Sequence, residues 1–106
     1  SVQAQRVPLV LNAGGIGTWT YPNAYTTGAV PVVETTAESP SGASYAYDAK
    51  VVAGTVTNTS CQIMVNKISN SVTLPGIATS LLGYVINILT PATGTVVVHC
   101  WARTPS

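Results

Sequence analysis

At 106 residues the chain is long enough for one domain and too short for two, so residues 1–106 are read as a single unit. Only 7% of the residues are charged, the net charge is +1 and no basic cluster occurs, which argues against a nucleic-acid partner. No apolar run approaches the ~20 residues needed to span a bilayer, and no Lys/Arg-rich amphipathic stretch suits a membrane surface, so neither insertion nor surface binding is expected.

Fifteen Val and fifteen Thr dominate the composition. Two heavy atoms on Cβ suit a pleated strand better than a helix. Alternating or β-branched runs predict strands at Arg6–Leu11, Thr18–Tyr21, Pro31–Glu38, Ser44–Ala53, Ser60–Ile68, Tyr84–Leu89 and Thr95–Arg103. Turn-forming clusters separate most of them: Asn12–Gly17, Pro22–Gly28, Ser39–Gly42, Gly54–Thr59 and Pro91–Gly94. Short strands with this punctuation describe an all-β fold, an antiparallel β-sandwich of six or seven strands. One short helical turn within Ile77–Leu89 is allowed for, because Leu81, Leu82 and Val85 could share a face.

Alternation assigns each strand two sides. Tyr45, Tyr47, Ala49 and Val51 share one side of their strand, and Cys61, Ile63 and Val65 one side of the next. In the last strand Val96, Val98, Cys100 and Ala102 oppose Val97, His99, Trp101 and Arg103. The first three of these sides read as core. The His/Trp/Arg side needs another explanation: Trp and Arg are the types most enriched where binding energy concentrates. His99, Trp101 and Arg103 are therefore candidate contact residues. Trp19 and Tyr21 join them as aromatic residues near strand ends, with the core of a domain lacking Phe as their competing place.

Three stretches in order carry a family resemblance. They are GTWTYP (Gly17–Pro22) followed by a Pro/Gly turn and Pro31-Val32-Val33, then YDAKVVAGTVTNTSCQIMV (Tyr47–Val65), then VVVHCWARTP (Val96–Pro105). Together they resemble the C-terminal domains of bacteriophage tail fibres, and more distantly the H-type lectins, six-stranded antiparallel sandwiches that associate as trimers. Residues 68–90 fit neither pattern and read as an insertion. The resemblance implies a virion protein of the phage tail, assembled in the host cytoplasm. Its implied partners are identical chains in a homotrimer, other virion proteins and a host cell-surface glycan. A capsid decoration or tail-assembly protein with no ligand of its own is the alternative. Low charge suits both, since surface buried between chains needs little.

Catalysis is not expected. The carboxylates are Glu34, Glu38 and Asp48; a general acid–base pair needs two titratable groups in one pocket, and the surroundings of Glu34 and Glu38 read as a solvated edge. His99 is the lone candidate base, and its neighbour Cys100 points to the opposite side of the strand. One His and two scattered Cys are too few for a metal site. The glycines of Asn12–Gly17 lack the strand–helix context of a phosphate loop, so no cofactor is expected. Cys61 and Cys100 read as buried thiols.

Overall fold

The computed structural model describes residues 1–42, 44–69 and 88–105. The chain is an all-β antiparallel sandwich, and no helix occurs among the described residues. Its strands are β1 (Val2–Val10), β2 (Ile16–Thr20), β3 (Val32–Ala37), β4 (Tyr45–Val51), β5 (Ser60–Ser69), β6 (Ile88–Pro91) and β7 (Thr95–Arg103). One sheet runs β1-β7-β3; the other is built on β5, with β4, β2 and β6 as its neighbours. The helical turn allowed for within Ile77–Leu89 lies outside the described residues, apart from Ile88 and Leu89, which are in β6.

β7 is the central strand of the first sheet, and its Val/Thr-rich alternation is realised without a slip. Val96, Val98, Cys100 and Ala102 are buried at 2% exposure or less, while Thr95, His99 and Arg103 are exposed. β1 lies antiparallel on one edge, with Val2 opposite Arg103 and Val10 opposite Thr95. β3 takes the other edge, with Val32 opposite Arg103 and Ala37 opposite Val98. β1 begins four residues before the predicted Arg6, at Val2. Gln3, Ala4 and Gln5 have little strand preference of their own, and their ladder with Cys100–Ala102 holds them extended.

In the second sheet β5 hands one edge from one neighbour to the next. β2 pairs with Ser60–Met64 and β6 with Asn66–Ser69, while β4 occupies the opposite edge. The change falls at Val65. Its N–H donates to the Gly15 carbonyl (2.8 Å) and its carbonyl accepts from Ala92 N–H (3.0 Å). Gly15 has φ 77°, and a Cβ there would stand 2.6 Å from the Val65 oxygen and 3.1 Å from Pro91 Cβ. Only glycine fits both constraints. The turn before it is tied by Asn12, whose side-chain oxygen accepts from Gly14 N–H (2.8 Å) and Ile16 N–H (3.1 Å).

The core fills the space between the sheets. Leu9, Ile63, Val65, Val98, Cys61 and Cys100 are essentially buried, and the aromatic mass comes from Trp19, Tyr21 and Tyr25. These three rings meet edge to face, Trp19 to Tyr21 at 5.0 Å and Tyr21 to Tyr25 at 5.6 Å. Their polar tips can be buried because each has a partner. Trp19 Nε1 donates to Gln5 Oε1 (2.8 Å), and the Tyr21 hydroxyl reaches the carbonyls of Thr57 (3.0 Å) and Ser60 (3.1 Å). The Tyr25 hydroxyl reaches the carbonyls of Ala102 (2.9 Å) and Ser1 (3.1 Å).

Trp19 and Tyr21, expected at a contact surface, thus lie in the core, at 1% and 4% exposure. Alternation puts them on one side of β2 with Thr18 and Thr20 on the other, and the facing sheet closes over the aromatic side, supplying the core rings of a domain without Phe. Cys61 and Cys100 are both free and buried, on facing sheets. Burial pushes the Cys100 thiol up to about 12, and it raises that of Cys61 against an opposing hydrogen bond from Tyr21.

Candidate functional site

The two sheets present different outer surfaces. Over the β5 sheet the outward residues mix polar side chains, among them Thr18, Thr20, Gln62, Lys50 and Asp48, with half-buried Ile16, Met64 and Ile68 and exposed Leu89, and Lys50 Nζ lies 3.6 Å from Asp48 Oδ1. Over the β1-β7-β3 sheet the pairing gathers a different set. Arg6 stands opposite His99 and Ala4 opposite Trp101 on the β1 side. Thr36 and Glu34 occupy the same levels on the β3 side. Val2, Val10 and Val32 are also on this face, at 57%, 72% and 49% exposure.

Two clusters organise it. Glu38, just past the end of β3, is kept on the ladder by its N–H donating to the Val97 carbonyl (2.9 Å). Its carboxylate reaches across β7 and accepts from Arg6 Nε (2.5 Å), Arg6 Nη2 (3.0 Å) and His99 Nε2 (2.6 Å). The Arg6 fork and the His99 ring together hold the Glu38 carboxyl down at about 2, and Glu38 in turn raises Arg6. Further along β7, the Arg103 guanidinium lies 5.6 Å from the centre of the half-buried Trp101 ring. An open groove of about 400 Å³ runs over His99 and Trp101, walled by Ala4 and Arg6 on one side and by Glu34 and Thr36 on the other.

No family model, no curated protein and no solved structure matches this chain.

Glu38 stays ionised at ordinary pH, so it accepts hydrogen bonds and has no proton to give. No group of three metal-ligating side chains comes together among the described residues. His99, Trp101 and Arg103 fall in a row on one face, as alternation places them; Trp19 and Tyr21 sit behind the sheet in the core. From the sequence Glu38 reads only as a carboxylate on a solvated edge, and Arg6 is not among the candidate contact residues. The alternation of Arg6 with Val7 and Leu9 marks Arg6 as outward, but only the pairing of β1 with β7 brings it beside His99.

Proposed function

We propose that this chain is a virion structural and adhesion module, a phage tail-fibre or tail-tip domain that assembles as a trimer through the outer face of its β1-β7-β3 sheet. A host-surface glycan is captured at the seams between chains. The observation that carries the reading is the make-up of the outer face of the β1-β7-β3 sheet. It sets a half-buried Trp, two Arg and three exposed Val on a single sheet. An aromatic and apolar face of this kind on a chain with 7% charge invites non-specific association unless something covers it. The resemblance of the Gly17–Pro22, Tyr47–Val65 and Val96–Pro105 stretches to tail-fibre domains supports an identical chain as that cover.

Sedimentation of wild type and Trp101→Ala tests it. Wild type is expected as a trimer, with the variant weakened by more than about 1 kcal/mol, the size that separates an energetic contact from a bystander. A wild type that stays monomeric at high concentration overturns the proposal. One observation favours the alternative of an assembly part without a ligand. Arg6 and His99, two polar side chains of the groove, are both engaged with Glu38 at its margin and are less available to a sugar. Glycan-array binding by the assembled protein separates the two: capture supports adhesion, and an intact assembly that binds no glycan supports the assembly part.

A further inference from the structure

We infer that contact between copies is registered by an ion pair running from Glu34 of one chain to Arg103 of another, packed against Trp101. The inference rests on the self-association proposed above and adds the residues that align it.

The chain has four Lys or Arg and three Asp or Glu, all within the described residues. Arg6 is paired with Glu38, and Lys50 with Asp48. Lys67 stands over the Tyr45 ring at 4.2 Å, on the other sheet. That leaves Glu34, the one carboxylate with no ion-pair partner among the described residues, and Arg103, whose guanidinium rests on Trp101. Both lie on the β1-β7-β3 face. Glu34 is directly opposite Trp101, and Arg103 is two residues further along β7, opposite Val32.

Their surroundings make the pair matter. Val2 and Val32 flank Arg103 from both neighbouring strands and are about half exposed, so a second chain on this patch would strip water from Arg103 and Glu34 together. Charges brought into such a contact weaken it unless they are paired. The face offers one unpaired charge of each sign, which complements a copy of itself. A strongly acidic or strongly basic partner would meet one matching and one opposing group. Glu34 and Arg103 are exposed, so reversing them leaves the core untouched.

Charge reversal is the experiment, read by sedimentation equilibrium of the full chain. Glu34→Arg and Arg103→Glu are each expected to weaken association at least tenfold, because like charges then face each other. The double reversal Glu34→Arg/Arg103→Glu is expected to restore wild-type association, whatever the symmetry of the assembly. Two single variants that assemble like wild type, or a double variant weaker than either single, overturn the pairing while leaving self-association standing. A monomeric wild type removes both. Should a reversal fail to fold by circular dichroism, Glu34→Gln and Arg103→Gln carry the test. A paired interaction makes the double neutral variant no weaker than the weaker single, and additive losses overturn it.

Discussion

Replacing Gly15 by Ala tests how the second sheet is closed. Gly15 and Gly54 share almost the same backbone conformation, φ 77° and 78°, but a Cβ at Gly54 meets nothing within 4 Å. Gly54→Ala therefore measures the conformational cost alone, about 1–2 kcal/mol for a left-handed residue. Gly15→Ala adds a steric cost, since its Cβ would fall 2.6 Å from the Val65 oxygen. Relief requires moving the Val65 peptide, which weakens both hydrogen bonds at the β2–β6 handover, Val65 N–H to Gly15 and Ala92 N–H to Val65. At roughly 1 kcal/mol for each such bond, the additional loss is about 2 kcal/mol. The total for Gly15→Ala is about 3–4 kcal/mol, against about 1–2 for Gly54→Ala. Urea unfolding followed by tryptophan fluorescence, at one protein concentration, gives both values. Losses that agree within about 0.5 kcal/mol would show that β5 gives way freely at Val65, and the account of the handover would be wrong.

Two further outcomes concern titratable groups. Cys61 and Cys100 are buried with raised thiol values, so a thiol reagent at pH 8 should modify neither in the folded protein and both in denaturant; rapid native labelling would contradict their burial. Because the folded Glu38 carboxyl is held near 2 against an ordinary 4.5, its contribution to stability is complete above about 4.5 and fades as the pH falls toward 2. Glu38→Gln should remove that part of the acid dependence, and a Glu38 carbon resonance titrating near 4.5 would show that Arg6 and His99 do not hold it.

Val/Thr richness and period-2 alternation were enough for the class of fold and for both faces of β7, whose predicted and observed limits coincide at Thr95 and Arg103. These are local properties: a strand's side chains must alternate whatever lies beside it. Alternation names two sides without saying which is wet, and for Trp19 and Tyr21 that depended on the other sheet closing over them. Pairing is equally silent in the sequence. Gln3–Gln5 became strand because β7 offered a ladder, and Arg6, Glu38 and His99, distant along the chain, met because β1 and β3 flank the same strand. The sequence alone determined which residues alternate. The tertiary structure decided which strands are neighbours, because register is set by how two sheets bury their apolar sides against each other.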